Sequence, residues 1–425
     1  MSTKHSKAAA EFLKNKKQAA WHDETLWLVR AKRDRLSKEV PEWEELRNMA
    51  CATKLYSNSH LDELLVEFEN NARANGAHVY WAKDADEYCN IVYNILNQHG
   101  VKHFIKSKSM LAEECELNPF LESKGIEVVE SDLGERILQL MHLKPSHIVL
   151  PAIHIKREQV GELFEREMGT EKGNFDPTYL THAARKNLRQ KFIHAEAAMT
   201  GANFAVASTG EIVVCTNEGN ADMGTSQPKL QIAAFGMEKI VPDRESLGVF
   251  TRLLARSATG QPITTYTSHY RKPREGGELH IIIVDNGRSK ILADPKHIKT
   301  LNCIRCGACM NTCPVYRRSG GYSYTYFIPG PIGINLGMLK APLHYYDNVS
   351  ACSLCYSCSF VCPAKVDLAE QIYLWRQDLD KLGKADRMKK VMSGGMEFMM
   401  NRPSIFNMAL KLGAIGKRSA AFPYL

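Results

Sequence analysis

The sequence predicts an α/β fold on a mostly parallel sheet, followed by a small α-helical, cysteine-rich module. Three observations predict it. Apolar strand-like runs alternate with helical periodicity between residue 59 and about 200, short strand-like runs crowd the stretch from there to about 290, and eight of the twelve cysteines fall between Cys303 and Cys362. At 425 residues the chain has room for two or three folded units. The pattern divides it into a basic helical segment (1–58), an α/β domain (59–295), the cysteine module (296–372) and a basic, Met-rich helical segment (373–425).

Taken in order, the first sixty residues read as helix, with Trp21, Leu26, Trp27, Leu28 and Val29 as apolar surface and Pro41 as a breaker. Leu61, Leu64, Leu65 and Phe68 recur at i, i+3, i+4 and i+7, and Gly76 ends that helix before the strand HVYWA. A helix through Tyr88, Ile91, Val92, Ile95 and Leu96, closed by Gly100, leads to the strand VKHFI. Then come a helix over SMLAEECELNPFLESKG, the strand IEVVES, the helix LGERILQLM and a strand HIVLPA. Such alternation means βαβ units. After the helix EQVGELFEREMG a polar helical stretch is expected to about Thr200. The short strands NFAVAS, EIVVCT and KLQIAAF follow, then the helix SLGVFTRLLARS and the strands ITTYTSHY and ELHIIIVDN. No GxGxxG follows a strand and no GxxxxGK[ST] occurs, so a Rossmann dinucleotide site and a P-loop are unsupported.

With 44% hydrophobic and 24% charged residues the composition is ordinary globular. No apolar run approaches 18 residues and the N-terminus lacks a signal-peptide core, so a cytoplasmic protein is expected. Of the net charge of +8, residues 1–40 hold +5 and residues 373–425 hold +6, leaving the body at −3. Basic ends on a mildly acidic body, without a helix-turn-helix, RNP or zinc-finger pattern, point away from nucleic acid. Docking to a partner or to the inner face of a membrane explains them more simply, and solvated charge explains them equally well.

The cysteines are decisive. Cys303-x2-Cys306-x2-Cys309-x3-Cys313-Pro314 is repeated, 38 residues on, as Cys352-x2-Cys355-x2-Cys358-x3-Cys362-Pro363. This is the bacterial two-cluster ferredoxin run, twice. A loop with thiolates every third residue wraps three corners of a cubane, and the fourth cysteine, starting a departing segment, ligates the other cluster. The expectation is two [4Fe–4S] clusters, one on Cys303, Cys306, Cys309 and Cys362, the other on Cys352, Cys355, Cys358 and Cys313. Structural zinc is the alternative, but it needs four thiolates per ion and no CxxCxxC triplets. Cys51, Cys89, Cys115 and Cys215, scattered singly, read as small core residues. Arg305, Arg317, Arg318 and Lys340 either offset cluster charge or sit at the surface. The apolar Ile304, Met310, Val315, Leu354, Phe360 and Val361, with the aromatic run Tyr322, Tyr324, Tyr326 and Phe327, either shield the clusters or pack the module.

Weaker signals remain. Glu218, in the loop Asn217-Glu218-Gly219-Asn220, is either a nucleophile or base, or part of a plain turn. Ser107, Lys108 and Ser109, between a strand and a helix start, either hold an anion or supply an N-cap. Asp132 and Glu135 suit a helix start, and His147 and His154 read as core or surface histidines. Met388, Met392, Met396, Met399 and Met400, then Ile405, Phe406 and Met408, form a surface suited to docking or to packing on the chain itself.

The segments SKSMLAEECELNPFLESKGIEVVESDLGERILQLMHLKPSHIVLPAIH, ANFAVASTGEIVVCTNEGN, FGMEKIVP, CIRCGACMNTCPVYRRSGGYSYTYFIPGPIG and SLCYSCSFVCPAKVDLAEQIYLWRQDL resemble the lactate utilisation protein B family, the iron–sulfur subunits of the bacterial L-lactate oxidation complex. The resemblance covers residues 20 to 400. It implies an α/β domain of the sugar-isomerase and CoA-transferase-like type followed by a two-cluster ferredoxin module. It also implies electron transfer during oxidation of L-lactate to pyruvate, beside a cysteine-rich subunit and a second lactate-utilisation-domain protein. The family often carries serine where Cys352 stands, so the resemblance transfers the other seven cysteines and the spacing supplies the eighth.

Cubane clusters pass single electrons and take no hydride, so a flavin or nicotinamide must act upstream. Without a dinucleotide fingerprint, the chain reads as a relay between a partner dehydrogenase and an acceptor rather than as a catalyst. The alternatives are an enzyme whose α/β domain performs isomerase-like or acyl-transfer-like chemistry on a small carboxylate, and a redox-responsive scaffold.

Overall fold

Strand–helix alternation dominates the first two-thirds of the computed structural model, which describes residues 4–384 and 387–418; the remainder of the expected terminal segments lies outside the described residues. Among the described residues ten strands occur: β1 (His78–Ala82), β2 (His103–Lys106), β3 (Glu127–Glu130), β4 (Ala197–Gly201), β5 (Phe204–Val206), β6 (Glu211–Thr216), β7 (Leu230–Gly236), β8 (Ile240–Val241), β9 (Tyr266–Tyr270) and β10 (Glu278–Val284). Six form a wholly parallel sheet in the order β1-β10-β7-β4-β2-β3. A smaller sheet, β8-β5-β6-β9, is antiparallel except for the β5–β8 pair.

Central strands of a parallel sheet are covered on both faces and read as continuous apolar runs. All seven residues of β7 are buried, and in β10 only Glu278 is exposed. One face packs against helices Ala85–Gln98 and Leu117–Ser123 through Tyr88, Val92, Leu96, Leu117 and Leu121. On the other, Phe68 of helix Leu61–Ala74 meets Phe235 of β7 edge to face, ring centroids 5.1 Å apart. A third core joins the small sheet, helices Trp43–Ser59 and Arg244–Thr259, and the cysteine loops through Ile304, Cys306, Ala308, Val361 and Ala364. The site therefore shares its core with the α/β domain.

Three expectations are corrected. The strand HIVLPA is a loop: the Ser146 N–H bonds the Pro151 carbonyl, and the His147 ring Nδ1 accepts the N–H groups of Val149 and Leu150, each at 3.0 Å, so its donors are satisfied locally. The polar helix ends at Ile193, and Ala197–Gly201 forms the interior strand β4, where small residues suit a site covered on both faces. The helix over residues 109–125 splits into Met110–Glu114 and Leu117–Ser123 at Glu116, whose φ is 53°. An unbroken helix would set the Pro119 ring against the Cys115 carbonyl, which instead accepts the Cys89 thiol.

The amino-terminal segment is three helices, Lys4–Lys14, Lys16–Lys38 and Trp43–Ser59. They grip the cysteine module: the His5 N–H donates to Asp347, Arg33 donates to the Val361 carbonyl at 3.0 Å and Arg47 to the Cys362 carbonyl at 3.0 Å. Described residues up to Tyr373 form one compact unit and those from Leu374 a second. The second holds helices Arg387–Met400 and Pro403–Arg418, with Met388, Met392, Met396 and Met400 exposed. No helix among the described residues is long and apolar enough to cross a membrane.

Candidate metal centre and adjoining pocket

The two cysteine boxes share one backbone design. In each, the residues flanking the second cysteine take left-handed conformations: Arg305 (φ 61°) and Gly307 (φ 75°) in the first, Leu354 (φ 53°) and Tyr356 (φ 60°) in the second. A short helix then carries the third cysteine, Ala308–Thr312 for Cys309 and Ser357–Val361 for Cys358, and the fourth ends that helix in an extended conformation. Non-glycine residues in the left-handed region cost on the order of 1 kcal/mol or more each and persist where the surroundings require them. Here they fold each loop so that backbone donors point at sulfur. Cys303 accepts from Arg305 N–H at 3.4 Å, Cys352 from Leu354 at 3.3 Å, Cys313 from Tyr316 at 3.5 Å and Cys362 from Val366 at 3.4 Å.

The boxes exchange their fourth cysteines. Cys303, Cys306, Cys309 and Cys362 line one buried cavity together with Ile148, Ile304 and Ile332. Burial, helped by the proximity of Cys303, pushes the Cys306 thiol up to about 12 and the Cys362 thiol up to about 11. Cys313 lies with the other triplet: burial takes its thiol up to about 11, with Cys352 and Cys355 pushing the same way, and Cys358 is raised by burial and by Cys313, Cys352 and Cys355. Cys309 also feels Cys358, so the two groups are neighbours.

These thiols suit a polynuclear core better than a single ion. Buried thiols that raise one another's pKa ionise together only around a cationic core. The cover is apolar and aromatic: Met310, Tyr316 and Tyr324 are buried, and Tyr324 sits beside Cys313 and Cys352. Arg305 is part-buried beside Cys303, while Arg317 pairs with Asp23 over the Trp27 ring, and Arg318 and Lys340 are at the surface. His147 donates to Asn311 and His154 meets Ser146 and Tyr322; burial lowers both, to about 3 and about 4, and they stay neutral core histidines.

A pocket of about 260 Å³ abuts this centre at the carboxyl ends of β2, β4 and β7, the usual place for ligands in open α/β sheets. It brings together two groups that are distant in sequence, Ser107–Ser109 and Glu218, and its wall reaches Arg305 and Cys306. Ser109 caps its helix by accepting the Ala112 N–H, Lys108 is tied to the Val149 carbonyl and Glu135, and Glu218 is exposed on a turn closed by Gly219 (φ 68°). Asp132, also lining the pocket, accepts from Gly134 and Glu135 as an N-cap.

Sequence reasoning missed the charged floor. Arg288 forms two bonds with Glu114, at 2.7 and 2.8 Å, and one with Glu238 at 2.8 Å. Burial opposes ionisation of Glu238, but Arg288 and Arg305 outweigh it and hold the carboxyl well below the usual range. Burial lowers Lys239 to about 8, and among the described residues its ammonium makes no hydrogen bond or ion pair while lining the pocket. The one local signal was a Glu-Lys pair inside the apolar run of FGMEKIVP.

Fold and site together define an iron–sulfur protein of two parts. Residues 65–291 match the LUD domain family and residues 299–366 the 4Fe-4S dicluster domain family. The chain is 42% identical over 384 residues to lactate utilization protein B of Geobacillus thermodenitrificans, covering 88% of this chain and 80% of that one. It is 44% identical over 359 residues to the protein of that name from Bacillus pumilus (83% and 76%), and 38% identical over 393 residues to the uncharacterized electron transport protein YkgF of Escherichia coli (91% and 82%). The chain belongs to the lactate utilization protein B family.

Proposed function

We propose that this chain is an electron-transfer subunit in the oxidation of L-lactate to pyruvate, relaying electrons singly from a partner dehydrogenase to an acceptor. In this reading Cys303, Cys306, Cys309 and Cys362 hold one [4Fe–4S] cluster, and Cys352, Cys355, Cys358 and Cys313 hold the other. The observation that carries it is the exchange of fourth cysteines between adjacent groups. Bound there, the clusters supply one-electron redox chemistry. The protein's residues do the rest: N–H groups donate to sulfur, Arg305 offsets negative charge, and Met310 and Tyr324 keep water away. The pocket binds a small carboxylate or a redox partner's prosthetic group against the Cys306 loop. The family name supports work alongside other lactate-utilization proteins; in this reading the partners are a cysteine-rich subunit and a second LUD-domain protein, with peripheral membrane contact through the basic ends.

A second reading, catalysis within the α/β domain, is favoured by the unpaired Lys239 ammonium and by Glu218 at the same pocket. Anaerobic purification with and without partners separates the two. The relay reading expects about eight irons per chain and a lactate-dependent reduced-cluster EPR signal only in the complex. Lactate oxidation by the isolated, flavin-free chain with an artificial acceptor would overturn it.

A further inference from the structure

At the amino end of the parallel sheet, away from the pocket, three histidines converge on one glutamate. His78 opens the edge strand β1 and pairs in register with His280 of β10, two residues after Glu278, while His99 ends helix Ala85–Gln98. One ligand atom from each of His78, Glu278 and His280 lies within 4.8 Å of the others. His280 Nε2 is 3.0 Å from Glu278 Oε2, and His99 Nε2 is 3.2 Å from Glu278 Oε1. With ~2.0–2.1 Å bonds, the edges of a tetrahedral zinc site of nitrogen and oxygen ligands are ~3.3 Å, close to the His280–Glu278 separation, while His99 bonds the other carboxylate oxygen.

The ring nitrogens facing away are already engaged, as in metal-ligating histidines, whose second nitrogen is held by an outer partner. His99 Nδ1 lies 2.9 Å from the Ile95 carbonyl and His280 Nδ1 lies 3.1 Å from the Tyr80 hydroxyl. A carbonyl only accepts, so His99 carries a proton on Nδ1, and a second on Nε2 bonds the carboxylate. His99 thus holds one Glu278 oxygen from outside the group of three. The His280 ring lies 4.8 Å from His78, and a divalent ion between them and the other carboxylate oxygen is held by two neutral imidazoles.

We propose that His78, His280 and Glu278 hold a Zn²⁺ ion that fastens the edge strand β1 to β10, with His99 bonding the Glu278 carboxylate beside it. Two imidazoles with one carboxylate suit zinc.

The test is metal analysis of the anaerobically purified full chain, supplied with zinc and then dialysed, with zinc K-edge X-ray absorption. About one zinc per chain is expected, beside the iron, with a nitrogen/oxygen shell at ~2.0–2.1 Å and no sulfur at ~2.3 Å. His78 and Glu278 are exposed, so His78→Ala and Glu278→Gln should lose that zinc while iron content and the cluster EPR signal stay unchanged. Absence of zinc, zinc coordinated by sulfur, or full retention by Glu278→Gln would each overturn the proposal. Iron content is read separately, so failure here leaves the relay reading standing, and the reverse also holds.

Discussion

The Arg305 guanidinium lies 3.6 Å from the Glu238 carboxylate, while the Arg305 backbone N–H donates to the Cys303 sulfur. One residue thereby joins the floor of the α/β pocket to the first cysteine group. Arg305→Gln removes a part-buried positive charge at that joint. The potential of the cluster on Cys303, Cys306, Cys309 and Cys362 should fall by on the order of 50–100 mV, with Arg305→Lys retaining most of it. An EPR-monitored redox titration reads the shift; an unmoved potential in the Gln variant would mean that Glu238 already cancels the guanidinium's field.

Exchange of fourth cysteines makes a pairing test simple. Cys362→Ser should damage the same cluster as Cys306→Ser, and Cys313→Ser the same one as Cys355→Ser, each leaving about four irons per chain. Residual EPR spectra after reduction identify the survivor. If Cys362→Ser matched Cys355→Ser instead, each box would hold its own cluster.

Carboxylate binding in the pocket should follow Lys239. Its ammonium, brought down by burial to about 8, is mostly charged at pH 7 and mostly neutral at pH 9. Attraction for an anion is therefore full below that value and lost as pH rises through it, so pyruvate affinity by calorimetry should be about tenfold weaker at pH 9 than at pH 7. Lys239→Met should bind weakly at both pH values; a pH-independent affinity in the native chain would exclude Lys239 as the anchor.

Two glycines separate backbone strain from crowding. Gly125 (φ +80°) has open space where a Cβ would stand, whereas at Gly210 (φ +67°) a Cβ would lie 2.3 Å from the Ala72 backbone nitrogen. Gly125→Ala should cost about 1 kcal/mol, and Gly210→Ala about 2–4 kcal/mol because helix Leu61–Ala74 must move. Thermal melts of both variants should show Gly210→Ala the lower by several degrees.

What the sequence disclosed was local. Cysteine spacing is read within ten residues, and the buried runs of β7 and β10 announce themselves by composition. HIVLPA misled because a strand and a loop that satisfies its own N–H groups through His147 share the same apolar letters. β4 is not legible locally because Ala197, Ala198 and Gly201 are small for packing reasons that only their neighbours reveal. Ser107–Ser109 and Glu218 each stand out in the sequence, but their meeting depends on sheet order. The Arg288 bonds to Glu114 and Glu238 span 174 and 50 residues, beyond any local pattern.

Arg33 holds the Val361 carbonyl across 328 residues and Arg47 the Cys362 carbonyl across 315. At ~5–20 residues per second, translation needs ~15–65 s to bring those carbonyls out after the helices that bind them. During that interval the nascent chain exposes the apolar faces of its first three helices and has no complete set of four cysteines for the first group. In the proposed pairing, iron delivery to the first group must therefore follow synthesis of Cys362, and a ribosome stalled before Cys358 releases a protein with neither centre finished.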